Sequence, residues 1–328
     1  MNKQLKQVLK GLGLFDPLKR VRQVMFPVSE EGRRVKFAKH ARRLGFDLEY
    51  RADQILVRKL DRQIKIDSRH EVYLMDMVNF FDYYHGAVLP KMVDRIAVVD
   101  YSRPALQQLS RSGVEFEFPS LPESDESTEV YVVALDLQPG EVVFDLGAYA
   151  GASAYFLAKA VGPDGMVISF EPDELNFRYL QANIARHGLT NVRPVNKGIW
   201  SETANLEFQA EGNMGSSAVS ITGRTSNVKT VPVISLEDAA KLSDGRRVGA
   251  IKMDIEGAEV EVLREAGEFL RKHRPRMVIE PHVVNGKMVT EELRQILAEN
   301  AYQSELLRQG SQNWPLIAAR PAVEMATK

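Results

Sequence analysis

The sequence contains no cysteine among its 328 residues. Disulfide bonds and thiolate chemistry are therefore excluded, and the composition is compatible with a reducing compartment. No segment approaches the roughly 20 consecutive apolar residues that a membrane-spanning helix needs. The first residues also lack the long apolar core and small-residue cleavage site of a secretory signal. Together these absences predict a cytoplasmic protein.

The sequence also has almost no net charge, −1 at pH 7, but its charges are unevenly distributed. Residues 1–65 carry 17 Lys and Arg against 7 Asp and Glu. This excess predicts contact with an anionic neighbour, such as the inner face of a membrane, and a solvated basic helix is the alternative. No aromatic and basic platform for single-stranded nucleic acid is evident, so we expect no nucleic-acid partner.

The N-terminal part carries no motif that identifies a function. Leu5, Val8, Leu9 and Leu12 follow helical spacing and predict an amphipathic helix. Such a helix packs on the body of the protein or on a second copy in a homodimer, and a position on a membrane surface is the alternative.

Further along, residues 54–66 alternate in the manner of a β-hairpin, with its turn near Leu60. Residues 69–85 predict a single helix dense in aromatic residues. We expect those aromatic side chains to pack in the core, because large aromatic residues dominate core burial.

Prolines, serines and acids cluster between residues 118 and 131, as in a linker. We therefore expect an accessory α+β region over 1–125, acting in acceptor recognition, as a lid or as an oligomer contact, and a second domain over 126–328. In this second domain, strand and helix patterns alternate. That predicts an α/β fold with a mainly parallel, doubly wound, Rossmann-like sheet, because parallel strands need long crossovers. Residues 191–200 predict one of its strands, and 204–234 predict short antiparallel strands beside it.

The first strand of this domain runs into a glycine-rich turn, "FDLGAYAG". Gly147 can adopt backbone angles that are closed to other residues, and Gly151 lets the next helix begin close to the sheet. A dinucleotide site needs G-x-G-x-x-G, with the pyrophosphate on the helix N-terminus. Here Asp145 precedes the first glycine, where it would repel a pyrophosphate and would suit a cation. The turn residues predicted to bind a ligand are Asp145, Gly147, Ala148, Tyr149, Gly151 and Ser153.

A second acid follows the next strand directly, in "SFEP". Glu171 stands where a doubly wound fold places the carboxylate that binds both ribose hydroxyls, and Pro172 ends the strand. A ligand with a ribose and a sulfonium group but no phosphate meets both requirements. The predicted cofactor is therefore S-adenosylmethionine, and the alternative is that both acids only cap strand ends.

The motifs resemble one known family. In order, "FDLGAYAG", "SFEP", "NKGIWSE", "VPVISLED" and "IKMDIEGAE" resemble the FkbM-type methyltransferases, a branch of the Rossmann-like S-adenosylmethionine-dependent enzymes. The resemblance covers residues 127–282. It implies a Rossmann-like methyltransferase fold and O-methylation of a hydroxyl group on a small molecule, sugar, glycan or related secondary metabolite. The alternatives are a cofactor-binding scaffold without turnover and a nicotinamide-dependent sugar-modifying enzyme.

Candidate catalytic residues lie in "KMDIEGAE". Lys252 and Asp254 fall on one side of the strand, and Asp254 is predicted to contact the cofactor or the acceptor. Lys252, buried in a central strand, needs a carboxylate partner such as Asp254 or Glu280. Glu256 is predicted to act as a base or to bind Mg²⁺ together with Asp254. The alternative for Glu256 and Glu259 is that of acids at a helix N-terminus.

The next strand, "RMVIEPH", ends in His282 at the same edge of the sheet. A histidine there has the pKa range of a general base, and the alternative is a loop cap. The polar loop 213–217 is predicted to orient a polyol acceptor. Trp200 and Tyr149 are the aromatic residues predicted to lie nearest the cofactor.

Overall fold

The computed structural model describes residues 30–210, 215–218, 221, 228–309 and 314–322. The predicted amphipathic helix at Leu5–Leu12 therefore lies outside the described residues. No helix within the described ranges is long and apolar enough to cross a membrane.

The accessory region is built on a five-stranded sheet. Its strands follow the order β1-β2-β3-β5-β4, and β3 and β5 form the one parallel pair among them. The predicted hairpin is confirmed: β2 and β3 pair antiparallel around Leu60, which turns the chain with a φ of 55°. The elements of this region are α1 (Glu30–Arg43), β1 (Asp47–Tyr50), β2 (Gln54–Lys59), β3 (Arg62–Asp67), α2 (Leu74–Asn79), α3 (Phe81–Gly86), β4 (Lys91–Val93), β5 (Ile96–Tyr101), β6 (Ala105–Gln108) and β7 (Glu115–Phe118).

The single helix predicted over 69–85 is wrong. The chain instead forms a 3₁₀ helix at Ser68–Tyr73, followed by α2 and α3. Phe80 has φ −120° and ψ 38°, outside the helical region, so one helix ends there and the next begins. The break divides the aromatic residues: Phe81 is buried in the core, whereas Phe80 faces a cavity.

The segment predicted to be a linker is buried. Leu121 is fully buried, and Ser120, Glu123 and Ser124 are each less than a tenth exposed. The segment lies against the glycine-rich turn, where the hydroxyl of Tyr149 donates to the carbonyl of Leu121 at 2.8 Å. One apolar cluster also joins accessory-region residues to the helix after that turn. The boundary near residue 125 stays a prediction.

The second part of the chain forms a seven-stranded sheet of order β10-β9-β8-β15-β16-β20-β19, in which β20 runs antiparallel to both of its neighbours. This confirms the predicted doubly wound, mainly parallel fold. The elements from residue 125 onward are α4 (Asp125–Leu135), β8 (Val142–Leu146), α5 (Ala152–Val161), β9 (Met166–Phe170), α6 (Glu174–Arg186), β10 (Val192–Val195), β11 (Gly198–Ile199), β12 (Ala204–Gln209), β13 (Ser217–Ala218), β14 (Val228–Ile234), α7 (Leu236–Ala239), β15 (Val248–Met253), α8 (Glu259–Glu265), α9 (Gly267–His273), β16 (Arg276–Ile279), β17 (Val283–Val284), β18 (Lys287–Met288), α10 (Thr290–Glu299), β19 (Tyr302–Gln309) and β20 (Trp314–Pro321).

The inserted antiparallel strands are confirmed: β12 and β14 pair antiparallel within a second sheet of order β11-β14-β12-β13. The single strand predicted over 191–200 is wrong, because β10 belongs to the large sheet and β11 to the inserted one. The chain changes sheets at Asn196, whose side-chain amide donates to the backbone carbonyl of Glu171 at 2.8 Å. The inserted sheet therefore stands beside the end of β9.

The core of the large sheet is apolar, as expected for parallel strands covered on both faces. Phe144 on β8 is fully buried and stacks on Phe269 of α9, with ring centroids 6.0 Å apart. Burial of each such side chain contributes about 2–3 kcal/mol. Polar side chains interrupt this core at one register position, where Asp145 on β8 pairs with Lys252 on β15.

Candidate active site

The two loops that carry the predicted motifs meet at the carboxyl ends of β8 and β15. These strands are neighbours, and the strand order reverses between them. Ligands of doubly wound folds bind in the crevice at such a point. The backbone amide of Asp254 donates to the carbonyl of Leu146 at 3.1 Å, which holds the two loops together.

Gly147 is required by this close approach of the two loops. Its φ is 78°, and a Cβ built on it would lie 1.8 Å from the backbone oxygen of Asp254. Any side chain would push the two loops apart. The backbone that approaches Gly147 is thus the chain's own. Gly147 also lines the cleft described below, and its contact with a ligand stays a prediction.

Gly151 is required by helix packing. Its φ is 89°, and a Cβ there would lie 2.7 Å from a methyl group of Leu180 on α6. This agrees with the predicted tight start of the helix that follows. Ser153, in the first turn of that helix, is buried and donates to Asp145.

Asp145 is fully buried and does not reach the crevice in this structure. It accepts hydrogen bonds from Ser153 and Ser169 and lies 3.6 Å from Lys252. Burial raises its pKa, and the ammonium of Lys252 opposes that shift. The physical reason for its position is that a lysine inside the sheet needs a buried counter-ion. Direct contact of Asp145 with a cofactor stays a prediction.

Lys252 has two carboxylate partners, of which the sequence indicated one. Its ammonium lies 3.6 Å from Asp145 and 3.8 Å from Asp254, and it donates to the carbonyl of Gly147 at 2.6 Å. Burial alone would lower its pKa, but Asp145 and Asp254 raise it above the ordinary value. Lys252 thus stays a cation that fixes both loops. Glu280, the other predicted partner, forms no ion pair with it among the described residues.

Glu171 projects into a cleft beside the glycine-rich turn. Its carboxylate accepts from the backbone amides of Tyr149 and Asp173, each at 2.9 Å. These contacts fix its orientation and leave lone pairs toward the cleft. Burial raises its pKa to about 8, although the two amides favour the charged form.

The cleft runs along the ends of β8, β9 and β15 and is covered by the inserted sheet. Pro172, Tyr149 and Trp200 line it, whereas Ala148 is fully buried and its backbone amide donates to Phe170. Contact of these residues with a cofactor stays a prediction. Apolar side chains of the inserted sheet form the opposite wall. The lining residues are Gly147, Tyr149, Phe170, Glu171, Pro172, Asn176, Gly198, Ile199, Trp200, Leu206, Phe208, Ser216, Ala218, Val233, Asp254, Ile255, Glu256 and Ala258.

A second cavity of about 220 Å³ lies next to the cleft, between the accessory region and the sheet. Asp254 and Glu256 line both spaces, so the cleft and the cavity meet at these two carboxylates. The residues lining the cavity are Tyr73, Asp76, Phe80, Tyr83, Tyr84, Glu123, Ser127, Tyr131, Gly215, Asp254, Glu256, Glu280, His282, Gln309 and Trp314.

Glu256 occupies a constrained position at this junction. Its φ is 53°, its backbone carbonyl accepts from the hydroxyl of Ser217 at 2.8 Å, and burial raises the pKa of its carboxyl to about 8. Ser217 belongs to the loop predicted to orient an acceptor. Gly215 of that loop lines the cavity, and residues 213 and 214 lie outside the described residues.

His282 is held by Glu259, which is fully buried. Nδ1 of His282 donates to Glu259 Oε1 at 2.9 Å, and the same oxygen accepts from the backbone amides of Ile255 and Gly257. Nε2 therefore faces the cavity, 3.6 Å from both Asp254 and Glu256. Glu259 thus does more than interact with a helix dipole, since it orients the histidine.

Glu280 is also held in place by hydrogen bonds from other side chains. Its Oε2 accepts from the hydroxyl of Tyr131 at 2.8 Å and from the amide of Gln309 at 3.4 Å. Burial, followed by the nearby Asp254, raises its pKa to about 7. One carboxylate oxygen of Glu280, one of Asp254 and a ring nitrogen of His282 lie within 4.8 Å of one another. This ligand group includes Glu280 and His282, whereas Mg²⁺ had been predicted between Asp254 and Glu256; the Mg²⁺ itself stays a prediction.

Sequence reasoning missed Glu123 and Tyr131. Glu123 is 8% exposed and lines the cavity, its Oε2 accepts weakly from the amide of Ser153 at 3.4 Å, and its Oε1 has no hydrogen-bond partner within the described ranges. Burial raises its pKa to about 8. Both residues lie in or beside the segment that resembled a linker, and an acid among serines and prolines carries no signal of burial.

The comparisons with known proteins agree with this geometry. The strand order, the antiparallel β20 and the two loops at the point of reversal define a Rossmann-like methyltransferase fold. Residues 145–304 match the family model of the methyltransferase FkbM domain. This part of the chain therefore resembles an FkbM methyltransferase domain, as the motifs indicated.

Individual relatives are distant. Methyltransferase 1 of Beauveria bassiana is 28% identical over 142 residues, covering 37% of this chain and 57% of the relative. The solved FkbM methyltransferase of Methylobacillus flagellatus is 20% identical, with a TM-score of 0.42, covering 56% of this chain and 44% of that one. A solved precorrin-6Y C5,15-methyltransferase of Geobacter metallireducens is 16% identical, with a TM-score of 0.39, covering 61% of this chain and 90% of that one. The chain thus spans about half the length of the first two.

Proposed function

We propose that this protein transfers a methyl group from S-adenosylmethionine to a hydroxyl oxygen of a neutral sugar, glycan or related polyol. One observation carries the proposal: the cleft and the cavity meet at Asp254 and Glu256. A cofactor in the cleft and an acceptor in the cavity would place their reacting atoms at that junction.

The cleft suits a nucleoside without phosphate. Glu171, oriented by two backbone amides, would accept hydrogen bonds from both ribose hydroxyls. Apolar walls at Ile199, Leu206 and Phe208 would enclose the flat base. The carboxylate of Asp254 would face the cationic end of the cofactor.

The reaction is an in-line displacement at the methyl carbon. A bond forms between that carbon and the acceptor oxygen, and the bond to sulfur breaks, so the sulfonium becomes a neutral thioether. The hydroxyl proton passes to the ionised form of Glu256, which lies at the junction. Burial raises the pKa of this carboxyl to about 8, so the form that accepts the proton becomes the major one above pH 8. The main contribution of the enzyme is to align oxygen, carbon and sulfur and to exclude water.

The cavity suits a neutral polyol. Phe80, Tyr84 and Trp314 supply aromatic surfaces for the apolar faces of a sugar ring, and carboxylates around them accept hydrogen bonds from hydroxyls. No lysine or arginine occurs among the described residues that line it. A phosphorylated or carboxylated acceptor would therefore find no basic side chain to pair with among these lining residues.

The accessory region supplies one wall of this cavity, from the 3₁₀ helix to α3. Tyr73, Asp76, Phe80, Tyr83 and Tyr84 line the cavity, and all of them precede the FkbM domain. We therefore assign acceptor recognition to this region.

Calorimetry tests the cofactor first. The full chain should bind S-adenosylmethionine, Glu171→Ala should weaken that binding, and NAD should not bind. Preference for NAD would instead support a nicotinamide-dependent enzyme.

Transfer from radiolabelled S-adenosylmethionine to a panel of neutral sugars, sugar phosphates and uronic acids then tests the acceptor class. Label in neutral sugars, with little in the anionic ones, is the expected result. Cofactor binding without transfer to any member of a broad alcohol panel would favour a scaffold role.

A further inference from the structure

We propose that Asp254, Glu280 and His282 hold a divalent cation, of which Mn²⁺ is the best match, on the wall of the acceptor cavity. Its role in catalysis rests on the proposed function, whereas the binding of the ion does not. The proposed ligand set replaces the pair Asp254 and Glu256 that the sequence had indicated for Mg²⁺.

Two of the proposed ligands each have one polar atom held by the protein. Glu259 holds Nδ1 of His282, and Nε2 lies 3.6 Å from Asp254. Tyr131 holds Oε2 of Glu280. Partners behind metal ligands orient them in this way, and histidine ligands commonly donate their other ring nitrogen to a carboxylate.

The third ligand follows the same rule. Asp254 turns Oδ2 toward the ammonium of Lys252 at 3.8 Å and Oδ1 toward Nε2 of His282 at 3.6 Å. Two oxygens and one nitrogen thus converge from the ends of two neighbouring strands, β15 and β16. A cation bound to all three residues would replace the ion pair between Nε2 of His282 and Oδ1 of Asp254, and so would require the neutral imidazole.

Five carboxyl groups line the cavity, those of Asp76, Glu123, Asp254, Glu256 and Glu280. The ammonium of Lys252 lies behind this wall, where it already contacts Asp145 and Asp254. A divalent cation would favour the ionised form of the carboxyl groups that face it.

A second observation points to a ligand in this space. Glu123 faces the same cavity, and its Oε1 is buried without a hydrogen-bond partner among the described residues. A buried oxygen without a partner costs about 1–3 kcal/mol. A water bound to the cation, or an acceptor hydroxyl, would supply the missing donor.

The donor set selects among ions. Two carboxylate oxygens suit Mg²⁺ and Mn²⁺, but an imidazole nitrogen favours the transition metals, and three protein ligands leave sites open in an octahedral shell. We therefore expect Mn²⁺ to bind more tightly than Mg²⁺. An acceptor hydroxyl bound at an open site would lose its proton more readily, and Glu256, outside the ligand group, would receive it.

Electron paramagnetic resonance tests the binding directly. The chelator-treated full chain is titrated with Mn²⁺, and the signal of free aqueous Mn²⁺ reports the unbound fraction. One ion per chain should bind, with excess Mg²⁺ displacing it poorly. Glu280→Gln and His282→Ala should each weaken binding by at least about tenfold.

Asp76→Asn is the matched control, because it removes a carboxylate from the same cavity but not from the ligand group. It should change Mn²⁺ affinity by less than about threefold, as expected for one screened charge. Tyr131→Phe keeps the shape of the side chain and frees Glu280, so it should weaken binding by about tenfold. Circular dichroism and thermal unfolding confirm that each variant is folded.

Two results would overturn the inference: the absence of Mn²⁺ binding by the folded wild type, or equal weakening by Asp76→Asn and Glu280→Gln, which would indicate diffuse attraction to an acidic surface. Calorimetry with S-adenosylmethionine on the chelated protein separates the two proposals. If the protein binds S-adenosylmethionine but not Mn²⁺, only the metal site is refuted. If it binds Mn²⁺ but not S-adenosylmethionine, only the proposed function is refuted.

Discussion

The proposed cofactor cleft and the proposed acceptor cavity are neighbours, yet they are built differently. The cleft is formed by the FkbM domain alone, and its one tightly oriented carboxylate, Glu171, is fixed by backbone amides. The cavity is formed by side chains from both parts of the chain and carries five carboxylates. The proposed cofactor site is therefore encoded locally, whereas the proposed acceptor site depends on long-range packing.

The largest effect on activity should come from a substitution at Glu256, where the cleft and the cavity meet. Glu256→Gln removes the proposed proton acceptor, and loss of a general base lowers kcat by about 10²–10⁴-fold. The affinity for S-adenosylmethionine should change by less than about threefold, because a neutral isostere keeps the shape of the wall. Single-turnover methyl transfer and calorimetry measure both quantities. An unchanged kcat would assign the proton to another group.

Gly147→Ala should break the contact between the two loops. At a φ of 78° the new methyl group would lie 1.8 Å from the oxygen of Asp254. We expect the free energy of unfolding to fall by about 3 kcal/mol or more, measured by chemical denaturation.

Gly245→Ala is the matched control for Gly147→Ala. Gly245 has a φ of 76°, and a Cβ added there would meet no atom within 4 Å, so its substitution should cost about 1 kcal/mol of backbone strain. Equal costs at the two positions would show that backbone conformation, and not the loop contact, explains the requirement for Gly147.

On the cofactor side, the affinity for S-adenosylmethionine should depend on pH through Glu171. Burial raises the pKa of this carboxyl to about 8, so below pH 8 the free protein holds it protonated. The ionised form accepts both ribose hydroxyls. Affinity should therefore increase as pH rises from 6.5 to 9, by up to about tenfold per unit below the pKa.

Calorimetry across this pH range measures the effect. Glu171→Gln cannot ionise, so its weaker affinity should be nearly independent of pH. A wild-type affinity that is equally flat would show that another group, and not Glu171, binds the ribose.

The smallest effect should be on the KM for the acceptor alone. Phe80→Ala removes one aromatic wall of the cavity, worth about 1 kcal/mol, and should raise the KM for a sugar acceptor by about fivefold. The affinity for S-adenosylmethionine should stay the same, since Phe80 does not line the cleft. Steady-state kinetics and calorimetry measure the two effects, and a change in cofactor affinity would contradict the separation of the two spaces.

How much of the structure could be predicted from the sequence also differs between the cleft and the cavity. The large sheet and the position of Glu171 could be predicted because hydrophobic patterns and strand-end acids are local signals. The roles of Gly147 and Lys252 could be predicted only in part, because their partners, the carbonyl of Asp254 and the carboxylate of Asp145, lie on another strand. The spacing of residues within one segment does not show which residues of a neighbouring strand lie opposite them.

The acceptor side could hardly be predicted. Glu123 lies among serines and prolines that suggested a solvated linker, yet packing against the glycine-rich turn buries it. The helix is interrupted at Phe80 because the backbone angles of this residue leave the helical region, and the periodicity of the sequence does not show this. Both features arise from tertiary contacts that overrule local patterns.

The interruption of the helix at Phe80 has an evolutionary consequence. It turns the short helices α2 and α3 so that their side chains line the acceptor cavity, while none of them lines the cofactor cleft. Under the proposed function, substitutions in this stretch would change the acceptor and leave the binding of the methyl donor intact. A chimera that exchanges only α2 and α3 should then take on the acceptor preference of the protein that supplied them.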